Sequence, residues 1–252
     1  MDITAHAGMD GTMPNTRENL LSALYSQADT IEIDVRRDKH GILYLHHDPL
    51  ISTVSEGEKD MLLTLDEAFD LVSRFVDKKV NCDLKESALE ESVHSLAVHY
   101  DMQHRLLYTG TVDFPAHEEP WQRDVQVYFN WERLQKYCPN YTGLTDEENL
   151  WNAAEELWRK KPKGLVGWNM EWHWYVKNRE RFVVRRYPLS LWTVDDESAL
   201  NTLLKEKDAK IQSITTRKVH LAEQVKEKLL AATFDKETKK TVAVAGKGEV
   251  QS

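Results

Sequence analysis

The segment Thr30–Val35 reads Thr-Ile-Glu-Ile-Asp-Val, with aliphatic and acidic side chains in alternation. Alternate residues of a β-strand point to the same face of a sheet, so Glu32 and Asp34 share one face and the aliphatic residues share the other. In a parallel sheet the aliphatic face packs against helices, which leaves the opposite face to the carboxylates. The segment therefore predicts a buried strand that directs two carboxylates into one cavity.

Eight other segments rich in β-branched and aromatic residues surround this strand, and amphipathic helical patterns separate most of them. They are Ile3–His6, Ile42–His46, Lys79–Leu84, Arg105–Tyr108, Val125–Phe129, Gly164–Trp168, Pro188–Val194 and Lys210–Ile214. The segment Ile42–His46 is an extra strand, since a short turn at 39–41 would pair it with Thr30–Val35. Without this extra strand, the predicted strands alternate with predicted helices in close to eight βα units. The length of 252 residues suits a (β/α)8 barrel, which typically needs about 250. We predict the α/β class and a single-domain (β/α)8 TIM barrel.

The chain shows no Pro-, Gly- or Ser-rich linker that would divide it into two domains. We therefore assign residues 1–234 to the barrel. Residues 235–252 are polar and Lys-rich and lack hydrophobic periodicity, so we predict a flexible C-terminal tail there.

The composition limits the partners and the compartment. The chain carries 33 Lys and Arg against 42 Asp and Glu, a formal charge of −9, whereas nonspecific nucleic-acid or anionic-membrane binding usually needs a basic surface. It has no apolar run of 18 residues and no leader-like start, so we expect neither stable membrane insertion nor secretion. Cys82 and Cys138 are expected to be free thiols rather than a disulfide framework. We expect a cytoplasmic protein whose partner is a small molecule.

Three acidic residues fall at the carboxyl ends of neighbouring strands, where parallel barrels carry their active sites. Glu32 and Asp34 lie on one strand, and Asp83 lies on the next barrel strand. Ionised carboxylates this close repel one another and lose hydration, a cost that a bound cation removes. Because these are oxygen ligands without Cys, they favour a hard divalent metal, Mg²⁺ or Ca²⁺, over Zn²⁺.

Two histidines, one lysine and one tryptophan complete the predicted site. His6 and His47 follow different strands and would flank the metal, where imidazoles suit general acid and general base roles near neutral pH. Lys85 would face the same cavity and hold an anionic substrate oxygen. Trp192, at the end of a late strand, is the second candidate for substrate binding. Other polar residues at strand ends are His46, Asp48, Asn130, Asn169, Glu171 and Asp195. With a metal to polarise a phosphoryl oxygen, this set predicts phosphodiester cleavage.

Each of these features has a purely structural interpretation when it is taken alone. A Glu-x-Asp pattern on a strand is more often solvated than metal-bound, Asp48-Pro49 is typical of a turn, and Lys85 alone would be a helix-entry charge. The tryptophan-rich region 151–174 is expected to be mostly core, although part of Trp168–Trp174 would also suit an apolar pocket wall. The joint placement of the candidates at one barrel rim favours the functional interpretation.

In this order the residues resemble the glycerophosphodiester phosphodiesterase family over about residues 3–220. The resemblance lies in the family's His-Arg-Gly, Glu-Asn-Thr, Glu-x-Asp, His-Asp-Pro, Leu-x-Glu, Glu-x-Lys, Trp-Thr-Val and Ile-Thr-Asp motifs. The corresponding segments here are Ile3–Gly8, Glu18–Leu24, Ala28–Val35, Gly41–Pro49, Leu63–Ala68, Asp83–Lys85, Leu191–Asp195 and Ile214–Arg217. The early segments are specific, whereas residues 87–164 match poorly.

The resemblance implies metal-assisted hydrolysis of glycerophosphodiesters to glycerol 3-phosphate and an alcohol, on a (β/α)8 barrel. It implies His6 and His47 as the acid–base pair and Glu32, Asp34 and Asp83 as metal ligands. In the family's mechanism the neighbouring glycerol hydroxyl attacks phosphorus, and water then opens the resulting cyclic phosphate.

Three departures from the family pattern bear on the substrate more than on the chemistry. Ala7 stands where the family has Arg, Asp83 where it has Glu, and Thr216 where it has Asp. The related sphingomyelinase D enzymes share an Asp-x-Lys and a Trp-x-x-Asp pattern with this chain. A lysophospholipid phosphodiesterase or lyase that forms a cyclic phosphate is therefore one alternative. A barrel that binds a phosphorylated ligand without turning it over is another.

Overall fold

The computed structural model describes residues 1–50, 54–59, 61–137 and 146–245. In these ranges nine β-strands form one sheet: β1 (Asp2–Ala5), β2 (Thr30–Arg37), β3 (Leu43–Leu45), β4 (Lys79–Leu84), β5 (Leu106–Gly110), β6 (Gln126–Asn130), β7 (Leu165–Glu171), β8 (Leu189–Trp192) and β9 (Ile211–Thr216). All nine lie where the sequence pattern predicts strands. Of the two cysteines, Cys82 is buried and unpaired, and Cys138 lies outside the described residues.

Eight of these strands close a parallel barrel in the order β1-β2-β4-β5-β6-β7-β8-β9, with β9 pairing back to β1. Strand β3 lies outside the ring and pairs antiparallel with β2, as the turn at 39–41 predicts. The register between β2 and β4 sets Asp34 beside Asp83. The chain is thus a single-domain (β/α)8 TIM barrel, and the predicted fold class is confirmed.

Helices cover the outside of the barrel: α1 (Arg17–Tyr25), α2 (Glu56–Lys59), α3 (Leu65–Ser73), α4 (Glu90–His99), α5 (Trp121–Asp124), α6 (Leu134–Tyr137), α7 (Asp146–Lys160), α8 (Trp172–Lys177), α9 (Arg179–Arg185), α10 (Glu197–Leu204) and α11 (Val219–Ala245). Short 3-10 turns lie at Met9–Gly11, Gln103–Arg105 and Trp131–Arg133. Side-chain caps define several helix starts. Thr16 caps α1, Thr64 forms a capping box with Glu67 at α3, and Asp196 caps α10.

The hydrophobic core lies between the barrel and its helices. The aliphatic side chains of β2, Ile31, Ile33 and Val35, are buried in it, as their alternation with acidic residues predicts. The tryptophans of region 151–174 belong to the same core or pack against it. Trp151 and Trp168 are the most deeply buried of them. The core interpretation of this region is therefore confirmed.

The inside of the barrel is polar below the site. Thr4, Thr109 and Ser213 are buried there, and the hydroxyls of Thr4 and Ser213 lie 2.7 Å apart. Thr109 donates to the amide oxygen of Asn81 at 3.2 Å. Barrel interiors usually consist of layers of bulky aliphatic residues. Here hydrogen-bonded hydroxyls and amides continue the polar face of β2 down the barrel axis.

Two element bounds differ from the sequence pattern. Strand β7 extends to Glu171, three residues past the predicted end, because Asn169, Met170 and Glu171 pair with residues of β8. Helix α11 continues through residues 235–245, where the sequence predicts a tail, and residues 246–252 lie outside the described part. No helix of the described ranges is both long enough and apolar enough to cross a membrane.

Candidate active site

The carboxyl ends of the barrel strands surround a cavity of about 410 Å³. The cavity is lined by all seven residues that the sequence singles out: His6, Glu32, Asp34, His47, Asp83, Lys85 and Trp192. They come from β2, β4 and β8 and from the loops that follow β1, β3 and β4. Because the parallel strands all end at this face, residues far apart in the sequence meet here.

A cluster of three carboxylates forms one side of the cavity. Glu32, Asp34 and Asp83 each place an oxygen within 4.8 Å of the other two. Glu32 and Asp34 are buried, while the side chain of Asp83 is 21% exposed. The cluster exists because both carboxylates of β2 face inward and β4 lies next to β2 in register. Ionised groups held this closely need compensating charge.

Glu32 receives a single backbone hydrogen bond in this cluster. Its Oε2 accepts the N–H of Ala7 at 2.8 Å, and Nδ1 of His6 lies 3.9 Å from the same oxygen. Burial first, and then repulsion from Asp34 and Asp83, raise the pKa of Glu32 well above its ordinary value. A positive charge added to the cluster would favour the ionised carboxylate.

Lys85 bridges the other two carboxylates. Its Nζ lies 2.7 Å from Asp34 Oδ1 and 2.5 Å from Asp83 Oδ2. Burial opposes the charge of Lys85, but Asp83 and Asp34 outweigh it and raise the pKa of the ammonium. Burial also acts to raise the pKa of Asp34, yet Lys85 and a hydrogen bond from Asn15 lower it overall. Lys85 is therefore a charged ammonium fixed between the carboxyl groups of Asp34 and Asp83.

The composition of the cluster fits a hard divalent cation. Glu32, Asp34 and Asp83 carry three negative charges when ionised, and Lys85 returns one positive charge. The remaining two charges match one divalent ion. Within the described residues the group consists of carboxylates alone, and carboxylate oxygens are ligands that Mg²⁺ and Ca²⁺ prefer.

The two histidines present one ring nitrogen each for proton transfer. Nδ1 of His6 lies 2.7 Å from the carbonyl oxygen of Ala7, which only accepts, so a neutral His6 carries its proton on Nδ1 and keeps Nε2 as a base. Nδ1 of His47 lies 2.8 Å from Asp48 Oδ1, and this hydrogen bond lowers the pKa of Asp48. Each histidine thus keeps Nε2 for a proton exchange with a ligand.

Asn15 is a residue of the site that the sequence analysis misses. Its Nδ2 donates to Asp34 Oδ2 at 2.7 Å, and its Oδ1 accepts the backbone N–H of Asp34 at 3.1 Å. Its φ of 59° lies in the left-handed region, which asparagine tolerates better than most residues. A single asparagine in the loop before α1 belongs to no periodic pattern. Only its partner in the fold reveals that it orients Asp34.

Amide side chains and an arginine line the cavity around the end of β6. Asn130 Oδ1 accepts the N–H of Gly110 at 3.0 Å and Nδ2 of Asn169 at 2.9 Å. The sequence places both asparagines at strand ends, and both line the cavity. Glu132 and Arg133 also line it from the 3-10 turn after β6. No strand or helix pattern predicts that position, so the sequence analysis misses them.

Two acidic residues predicted at the barrel rim serve other contacts. Asp195 is held by Arg217, whose Nε lies 2.7 Å from Oδ2, and it also accepts the hydroxyl of Thr216 at 3.3 Å. Glu171 lies 3.0 Å from Nδ1 of His173. Neither carboxylate belongs to the cavity lining found in the described residues. Asp195 instead connects the loop after β8 to the end of β9.

Trp192 is the tryptophan that lines the cavity in the described part of the chain. Its indole Nε1 is buried and has no hydrogen-bond partner there. Trp168 is fully buried in the core, and Trp172 and Trp174 pack against that core. The described lining of this cavity therefore includes none of Trp168, Trp172 and Trp174, the tryptophans considered for an apolar pocket wall.

Comparison with protein families finds a match that covers most of the chain. The glycerophosphoryl diester phosphodiesterase family matches residues 6–245. This range includes every residue of the cavity described above. A search of curated proteins finds no match.

Several solved structures share the fold. A glycerophosphodiester phosphodiesterase from Thermotoga maritima is 18% identical, with a TM-score of 0.61 over 89% of this chain and 98% of that chain. One from Parabacteroides distasonis is 16% identical, with a TM-score of 0.61 over 92% and 98%. An Oleispira antarctica phosphodiesterase, in complex with the product sn-glycerol-3-phosphate, is 17% identical, with a TM-score of 0.59 over 89% and 96%. At these identities the likeness shows the common barrel.

Replacement of Gly110 tests whether the position of Asp83 matters to the cluster. Gly110 has a φ of 75°, and a Cβ there would contact Asp83 Oδ1 and lie 2.5 Å from the carbonyl oxygen of Leu84. We expect Gly110→Ala to displace Asp83 and weaken Mg²⁺ or Ca²⁺ binding by about 10- to 100-fold, measured by titration calorimetry.

Gly41→Ala is the matched control for this variant, because Gly41 has a φ of 88° and an added Cβ there would meet no atom within 4 Å. Both variants carry the strain of a left-handed alanine, about 1–2 kcal/mol. Equal cation affinities in the two variants would contradict the assigned role of Asp83.

Proposed function

The chain belongs to the glycerophosphoryl diester phosphodiesterase family, and from this premise we propose that it hydrolyses glycerophosphodiesters to glycerol 3-phosphate and an alcohol with the aid of a divalent cation. Family membership makes it a phosphoric diester hydrolase. The observation that carries the finer proposal is the convergence of three carboxylates, two histidines and Lys85 on one cavity. The glycerol 3-phosphate found in the Oleispira antarctica relative supports the same product class.

Glu32, Asp34 and Asp83 hold the cation in this proposal. A divalent ion held by these carboxylates would supply Lewis-acid polarisation of a phosphoryl oxygen. Asn15 and the N–H of Ala7 keep two of the carboxylates oriented.

His6 and His47 move the protons in two steps. In the first, Nε2 of His6 takes the proton of the glycerol hydroxyl next to the phosphate, and that oxygen bonds to phosphorus. The phosphorus–alcohol bond breaks, and the departing oxygen receives a proton from Nε2 of His47. In the second step the roles reverse: His47 accepts a proton from water, which opens the cyclic phosphate, and His6 returns its proton to the glycerol oxygen.

Lys85 and Trp192 are the proposed substrate contacts. Lys85 donates one hydrogen bond to Asp34 and one to Asp83. An ammonium has three N–H groups, so the third remains for a phosphoryl oxygen. Trp192 offers an apolar surface and a buried indole N–H at the opposite part of the lining. Ala7 supplies a backbone N–H and no charge, so the site depends on other cations to hold its anionic substrate.

Turnover of a simple glycerophosphodiester tests the proposed function directly. We expect the purified protein to release glycerol 3-phosphate from glycerophosphocholine, measured with a coupled dehydrogenase assay. Treatment with EDTA should abolish release, and added Mg²⁺ or Ca²⁺ should restore it. Undiminished turnover after complete metal removal would rule out the metal-dependent mechanism.

The two histidines are tested by alanine substitution. We expect His6→Ala and His47→Ala each to lower kcat by about 10²–10⁴-fold, because each removes one proton-transfer group. His104→Ala is the control, since His104 is exposed and lies outside the cavity lining. The assigned roles fail if either cavity variant keeps the turnover of the control.

A further inference from the structure

Arg133 is a cation of the cavity that the proposed chemistry does not use. It ends the 3-10 turn Trp131–Arg133 after β6, and its side chain is 19% exposed. In the closed ring β6 lies four strands from β1 in either direction. Arg133 therefore approaches the cavity from the side opposite His6.

The guanidinium of Arg133 is only partly engaged by the protein. Its Nη2 lies 3.1 Å from Asp113 Oδ1. The same carboxylate also accepts Nζ of Lys136, at 2.8 and 3.0 Å. Asp113 thus anchors the guanidinium at Nη2 while it also pairs with Lys136.

The remaining donors of Arg133 lack acceptors in the described structure. Its Nε is buried and has no hydrogen-bond partner, and no acceptor is found for Nη1 among the described residues. A guanidinium carries five N–H groups, and unpaired buried donors reduce stability. Because buried polar groups are normally hydrogen-bonded, a charged side chain with unpaired donors on a cavity wall indicates that a bound ligand supplies the acceptors.

Lys85 cannot fill this role by itself. Its ammonium is held between Asp34 and Asp83, so most of its charge compensates the carboxylate cluster. Ala7 adds no charge on the β1 side. Among the described lining residues, Lys85 keeps one spare N–H, whereas the buried Nε of Arg133 and its Nη1 are both without a partner.

We propose that Arg133 binds phosphoryl oxygens of the substrate and of the glycerol 3-phosphate product. This inference rests on the proposed function for the identity of the ligand. A planar guanidinium matches phosphate oxygens with paired N–H groups, which a lysine ammonium does not reproduce. Arg133 is a binding residue in this proposal, and the protons are moved by the histidines.

The test is a calorimetric titration of the metal-loaded protein with sn-glycerol 3-phosphate, beside steady-state kinetics on glycerophosphocholine. We expect Arg133→Gln to weaken glycerol 3-phosphate binding and to raise KM by about 10- to 100-fold, as for the loss of a charge-assisted hydrogen bond. We expect Arg133→Lys to recover part of the affinity. Arg159→Gln is the control, because Arg159 is an exposed arginine on α7 outside this lining.

A thermal melt of each variant separates binding from folding. Arg133→Gln with reduced stability but wild-type affinity and KM would show that the side chain serves only its pairing with Asp113, and the inference would be overturned. A wild-type protein that binds no glycerol 3-phosphate would overturn it too. If the protein binds glycerol 3-phosphate through Arg133 but cleaves no diester, the inference stands and the proposed function fails.

Discussion

The crowding of three carboxylates at one end of the barrel is the constraint on which the rest of the site depends. The register of β2 against β4 makes it unavoidable, because it sets Asp34 beside Asp83 and leaves Glu32 on the same face. The surrounding residues offset the repulsion in part, with Lys85 between two carboxylates. When all three carboxylates are ionised, the negative charge that Lys85 does not compensate equals the charge of one divalent ion. The repulsion among the carboxylates and their capacity to bind a divalent cation thus have the same origin, the register of β2 against β4.

The local charge pattern explains how an acidic protein can bind an anionic diester. The net charge of −9 is a property of the whole surface, whereas a ligand responds to the groups within a Debye length of about 8–10 Å. At the cavity, a cation on the carboxylates, Lys85 and Arg133 would supply positive charge from two sides. Asp113 holds Arg133 in place through Nη2 and also pairs with Lys136. The overall charge of the chain therefore gives no guide to the sign of its ligand.

The sequence predicts the barrel and the carboxylate cluster well because both depend on periodic patterns. The alternation around Glu32 and the repeated βα units carry that information. Asn15 and Arg133 have no such signal, since each lies in an irregular segment and acts through a partner distant in the chain. For Asp195 the sequence signal is present, but the fold gives the residue a different contact. Its position at a strand end predicts a rim residue, but Arg217 holds it away from the cavity, and only the fold brings these two together.

The central claim is that Glu32, Asp34 and Asp83 together hold one divalent cation, and anomalous diffraction tests it most directly. Crystals grown with Mn²⁺, which takes oxygen ligands as Mg²⁺ does, would be measured near the manganese absorption edge. We expect one strong anomalous peak per chain, at about 2.1–2.4 Å from an oxygen of each of the three carboxylates. A map with no peak at the cluster, or with its peak on other residues, would contradict it.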